Sequence, residues 1–93
     1  MDPFILLGNF VGDAVKEISA ERTVQAIALI KGLGGKVKAA YALLGAYDLM
    51  LVVEFPGVKE AMKASVELNK LLGIAFTTAP AVTVEEFDAL IAG

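Results

Sequence analysis

The 93 residues contain no cysteine, no histidine and no tryptophan. Without cysteine there are no disulfides and no thiol chemistry, and without histidine the commonest metal ligand and the commonest general base are missing. Structural zinc of the usual kind, haem held through histidine or cysteine, and Ser-His or Cys-His nucleophile systems are closed to this chain. No transition metal, no cofactor and no catalytic residue is therefore expected, and carboxylates, lysines, tyrosines and amides are what remain for chemistry. Positive charge is also scarce: 8 Lys and Arg stand against 11 Asp and Glu, for a net charge of −3 and a pI near 4.8. The lysines are spread along the chain, so no nucleic acid is expected as a partner. Long hydrophobic runs are lacking as well. The longest uncharged stretch, residues 71–84, falls short of the roughly 20 residues of a spanning helix, so no membrane insertion is expected. The start of the chain has no basic segment and no cleavage pattern of a secretory signal, which makes a cytoplasmic location the expectation.

Apolar side chains, by contrast, are abundant. They make up 57 % of residues before glycine is counted, against an average of about 45–50 % for a set that includes glycine. A chain of this length forms a single domain, residues 1–93, which buries roughly 60 % of its unfolded surface, so more apolar surface is present than one small core hides.

Periodicity divides the chain into strands and helices. Residues 4–10 read as a strand, after which Gly12 and Asp13 break the pattern, with Asp13 capping a short turn over residues 14–18. Ser19 then caps a helix over residues 20–33, with Thr23, Ala26, Ile27, Ile30 and Leu33 on one stripe, and Gly34-Gly35 ends it. Residues 36–44 alternate as a strand, Val37, Ala39, Tyr41 and Leu43 against Lys36, Lys38, Ala40, Ala42 and Leu44. A turn at Gly45-Ala46 leads into a further strand, 47–55, which Pro56-Gly57 stops. A second helix spans 58–72, its wet side formed by Lys59, Lys63, Glu67 and Lys70, and Gly73 closes it. The last strand, 74–82, carries Pro80 and so belongs at a sheet edge. Thr83 and Glu86 form a capping box, with Val82 and Phe87 at staple spacing, for a short helix to Ile91. The order βαββαβ plus a final helix predicts an α+β, ferredoxin-like domain: a four-stranded antiparallel sheet with two helices on one face.

The segment Leu33-Gly34-Gly35-Lys36-Val37-Lys38, then Leu44-Gly45-Ala46-Tyr47-Asp48 ahead of an apolar strand ending in Glu54, resembles the signature region of the GYD-domain family. The closing Thr83-Val84-Glu85-Glu86-Phe87 is similar to the Thr-x-Glu-Glu-aromatic end of the same family. That resemblance covers nearly the whole chain. It implies a ferredoxin-like fold and the assembly of dimeric α/β-barrel proteins, in a bacterial and archaeal family of unassigned function.

Four residues are candidates for ligand binding. Gly45 at the head of a two-residue turn suits a type II′ hairpin, in which the Asp48 carboxylate accepts turn N–H groups. Alternatively, the Tyr47 hydroxyl and the Asp48 carboxylate sit at the mouth of a pocket between sheet and helices, orienting a small polar group or taking a proton. Asn9 and Tyr41 are the other polar groups on apolar strands, candidates for the same pocket or for a partner on a neighbouring strand. Glu54, beside Pro56-Gly57, reads as a solvated carboxylate, and Glu85, Glu86 and Asp88 as favourable charges in a helix's first turn. Three functions fit: an oligomeric module or accessory domain binding a small apolar or aromatic ligand; a cofactor-independent monooxygenase or isomerase of the dimeric α/β-barrel kind; and a purely structural self-assembling module. All three share one expectation. Between residues 49 and 55, Leu49, Leu51, Val53 and Phe55 occupy one face and Met50, Val52 and Glu54 the other, while Ile5 and Leu7 back Phe4 and Leu6. A sheet apolar on both faces predicts a homodimer through its open face.

Overall fold

The computed structural model describes residues 1–12 and 19–93. The turn expected over 13–18 lies outside them. The elements are β1 (Asp2–Phe10), α1 (Ala20–Gly32), β2 (Lys36–Ala42), β3 (Leu49–Phe55), α2 (Val58–Leu72), β4 (Ile74–Pro80) and α3 (Val84–Ala92). The four strands form one sheet in the order β2-β3-β1-β4, with every neighbouring pair antiparallel, and the arrangement is ferredoxin-like. β4 lies at an edge, as Pro80 requires.

Local chemistry sets the helix ends. The Ser19 hydroxyl accepts from Arg22 N at 3.2 Å and starts α1. Its exit is a Schellman motif: Gly35 N donates to Ile30 O at 2.9 Å and Gly34 N to Lys31 O at 3.0 Å, with Gly34 at a φ of 79° that disfavours any side chain. Gly35 has a different duty. A Cβ there would come within 2.5 Å of the Phe55 ring, so this glycine lets the core aromatic lie against the backbone.

The core lies between one face of the sheet and the two helices. Phe4, Leu6, Leu51, Val53, Phe55 and Ile74 come from the strands, Ile30 from α1, and Ala61, Ala64, Leu68 and Leu72 from α2. The two alanines let α2 approach the sheet closely, and its lysines face outward as expected. α1 is held differently. Of its predicted stripe only Ile30 is buried, Ala26 and Leu33 are half-buried, and Thr23 and Ile27 are exposed. The C-terminal end of α1 is thus pinned to the core while its N-terminal half stands off the sheet.

Four strand boundaries differ from the sequence reading: β1 starts at Asp2 rather than Phe4, because Asp2 and Pro3 pair with Phe55 and Glu54, and the others lie at the end of β2, the start of β3 and the end of β4. The connection between β2 and β3 is closed by Leu43 N donating to Asp48 O at 2.8 Å, so residues 44–47 form a longer loop than a two-residue turn. Gly45 does take a positive φ, 134°, within it. β2 ends at Ala42 because Leu43 and Leu44, although they continue the alternation, have no pairing partner on β3. β4 ends at Pro80, and Ala81 N then donates to Pro3 O at 3.0 Å. Within β2 the pairing slips: Val37 stands opposite Val53, but Ala39 stands opposite Val52. This bulge at Lys38 breaks the simple alternation, so Ala40 and Ala42 join Val37 on the helix-facing side. At the C-terminus Thr83 Oγ1 accepts from Glu86 N at 3.0 Å and starts α3 as the capping motif predicts. Val82 and Phe87 nevertheless both remain more than half exposed. Among the described residues no helix is long and apolar enough to cross a membrane.

Candidate functional site

The gap left by the raised half of α1 is a cavity of about 270 Å³. Thr23, Ala26 and Ile27 roof it, Ala40, Ala42, Leu49 and Leu51 form its floor, and Leu68, Leu72, Ile74 and Phe76 close its far side. Small side chains make the space. Ala26 on the helix and Ala40 and Ala42 on the sheet stand where larger residues would fill it, and the two strand alanines face inward only because of the bulge at Lys38. Gly8 helps place the wall, because a Cβ there would lie 2.7 Å from the Phe76 ring. The polar groups gather at one end, where Ser19, Arg22 and Asp48 line the opening. Such a chamber, apolar with a few polar groups at its mouth, is near the lower end of the about 300–1,000 Å³ common for small-molecule sites.

Asp48 has a definite structural partner. On β1 the even-numbered residues direct their main-chain groups toward β3, and the last rung is Asp48 N donating to Gly8 O at 2.8 Å. Past that point β3 has turned into its loop. The Phe10 N–H would face no main-chain acceptor, and Asp48 Oδ2 accepts it instead at 3.0 Å. The carboxylate therefore braces β1 rather than the hairpin turn. Removing it should leave a half-buried donor unpaired, so Asp48→Ala is expected to lose about 1–3 kcal/mol in urea unfolding. Asp48→Asn keeps an acceptor oxygen and should retain most of that stability; equal losses in both variants would point to the charge instead.

Arg22 holds the other side of the opening. Its Nη2 donates to Leu71 O at 3.1 Å, near the end of α2, which ties the raised end of α1 to a helix carbonyl terminus.

The four residues singled out from sequence do not converge. Asp48 lines the cavity; Tyr47 is half-buried in the 44–47 loop and is not among the lining residues. Asn9, opposite Ala75, and Tyr41, opposite Met50 and 54 % exposed, belong to the other face of the sheet. Arg22, Ala40 and Ala42 were not singled out, and Thr23 and Ala26 were read as part of the packing stripe of α1 rather than as a site. The bulge hid the two strand alanines, and a polar residue on the first turns of a helix reads as surface. Among the described residues no group of three or more Asp and Glu stands close enough to hold a metal ion.

A family model described as the GYD domain matches residues 4–91. The leucine response regulatory protein of Mycobacterium tuberculosis has a similar fold, with a TM-score of 0.59 at 7 % sequence identity. The alignment covers 88 % of this chain and 51 % of that one, so the chain spans about half the length of the regulator. No curated protein matches the chain.

Proposed function

This chain belongs to the GYD domain family, and from that premise we propose that it is an oligomeric accessory domain that binds a small, largely apolar molecule beneath α1. The observation that carries this reading is the cavity itself, whose lining is mainly apolar, with Ser19, Arg22, Thr23 and Asp48 as its polar residues. A ligand matching it has a compact aliphatic or aromatic body and one polar end near Ser19, Arg22 and Asp48. Transfer of such a body from water contributes about 25 cal/mol per Å² of apolar surface. The leucine response of the regulator with the similar fold makes leucine and its deaminated analogue reasonable first probes. An enzyme of the monooxygenase or isomerase kind would draw on Asn9, Tyr41, Tyr47 and Asp48 together. Asn9 and Tyr41 lie on the open face of the sheet, Tyr47 in the loop and Asp48 at the cavity, so binding fits the geometry better than catalysis.

Ala26→Leu tests the site. Leucine suits a helix and would occupy the space beneath α1, so the variant should gain about 0.5–2 kcal/mol in thermal or urea unfolding. Isothermal titration with leucine, 4-methylpentanoate and indole should show binding to the parent and none to the variant. A variant that binds these probes as well as the parent would place the site elsewhere.

The second half of the proposal is a dimer through the open face of the sheet, where Ile5, Leu7, Met50 and Val52 form a contiguous half-buried apolar centre. A second sheet stacked about 10 Å away covers such a surface.

A further inference from the structure

Within the described chain, α3 is the element whose apolar side chains its own fold leaves unused. None of its residues is buried: Val84 is 75 % exposed, Phe87 51 %, Leu90 75 % and Ile91 69 %. At 100° per residue these four share about one third of the helix circumference, and Glu85, Glu86 and Asp88 occupy the rest. The helix is thus amphipathic and acidic. The opposite edge of the sheet is basic, since β2 carries the exposed Lys36 and Lys38 beside Ala39 and the exposed Tyr41.

We infer that α3 docks on the β2 edge of a second copy of this chain, with its acids against Lys36 and Lys38 and its apolar stripe over Ala39 and Tyr41. This rests on the open-face dimer proposed above. Symmetry supplies the argument. A two-fold axis between stacked sheets lies in the plane between them, and its two limiting directions are along the strands and across them. Along the strands, lateral order inverts and strand direction is kept, so β4 of one copy lies over β2 of the other. Register then decides the height. α3 leaves the sheet after Pro80, which pairs with Phe4; Phe4 pairs with Val53, and Val53 with Val37. Lys36 therefore sits at the end of the sheet from which α3 departs, and the axis along the strands brings each α3 to the lysines of the other copy. An axis across the strands stacks β2 over β2 with its ends reversed. It leaves both acidic helices at the wrong edge and the wrong end, with their apolar stripes in water. The contact also covers an edge strand, which otherwise presents unpaired main-chain groups. At about 1.5 Å per residue, the nine residues of α3 reach roughly 13 Å, a little less than the span from Lys36 to Tyr41 at about 3.4 Å per residue.

A charge-exchange cycle tests the contact. By sedimentation equilibrium, Lys38→Glu and Asp88→Lys should each raise the dimer dissociation constant ~10-fold, which corresponds to about 1.4 kcal/mol. The two together should return it to within a few-fold of the parent. The absence of native cysteine allows a second reading: Lys38→Cys protein mixed with Asp88→Cys protein should be joined by a short bis-maleimide into a cross-linked heterodimer, which 1 M salt should reduce. A parent that sediments as a dimer but shows no rescue and no heterodimer cross-link overturns the docking of α3 while leaving the open-face dimer intact. A parent that sediments as a monomer overturns both.

Discussion

Replacing Val52 with Lys is expected to abolish the proposed open-face dimer, leaving chain that aggregates or unfolds at micromolar concentration. Val52 stands at the centre of the open face, opposite Ile5 on β1 and Ala39 on β2, with Met50 on one side along the strand and Glu54, itself opposite Lys36, on the other. A lysine there enters a stacked-sheet interface in which the carboxylate on the same face, Glu54, already stands opposite Lys36, and the two-fold axis presents it twice. Leaving a charge unpaired in an interface costs about 2–5 kcal/mol, and here each dimer incurs that cost in both halves. Dissociation does not relieve the problem. The exposed face would exceed the few hundred Å² of contiguous apolar surface that monomers usually tolerate. Light scattering and circular dichroism against concentration follow the outcome, and a stable, soluble monomer in the parent protein would show that this face needs no partner.

Phe55→Ala should be the most damaging change inside the core. The ring is fully buried, meets Phe4 edge-on with centroids 6.1 Å apart, and lies against the bare backbone of Gly35. With no side chain at Gly35 to swing into the space, the cavity left by truncation stays open. The expected loss is about 3–5 kcal/mol. That is a large fraction of the roughly 5–15 kcal/mol by which domains are stable. Urea unfolding should show a lower midpoint with an unchanged slope. A loss below about 1.5 kcal/mol would mean that neighbouring side chains collapse into the hole.

The fold was largely legible because each element carries its own punctuation. Ser19, Thr83, Gly34 and Gly73 mark helix ends through hydrogen bonds and backbone conformations that neighbouring residues impose. Pro80 marks an edge strand for the same local reason, and the apolar density of residues 49–55 marks a central one. The bulge at Lys38 was not legible, since inserting one residue into a strand leaves no trace in composition and only the partner strand reveals it. That single slip exchanged the faces of Ala40 and Ala42 and with them hid the floor of the cavity. Asp48 illustrates the intermediate case. Its importance could be read from its place after a turn, but its partner, Phe10 N, lies 38 residues away and depends on where β3 leaves the sheet. Asn9 and Tyr41 were correctly marked as polar groups on apolar strands, yet parity along β1 and the bulge along β2 put them on the face away from the cavity.

The way Asp48 closes the corner between β1 and β3 also separates two time scales. Every rung of the ladder from Asp2 to Gly8 opens only when strands part, which in a cooperative core approaches global unfolding. The final contact is a carboxylate on a rotatable bond. Turning it away releases one N–H and breaks no main-chain pairing, a motion of side-chain rather than strand kinetics. Because the same carboxylate is among the residues that line the cavity, its release changes the cavity wall at a cost of about one hydrogen bond, net about 0.5–1.5 kcal/mol for a typical bond. The sheet can stay rigid while that part of the wall rearranges.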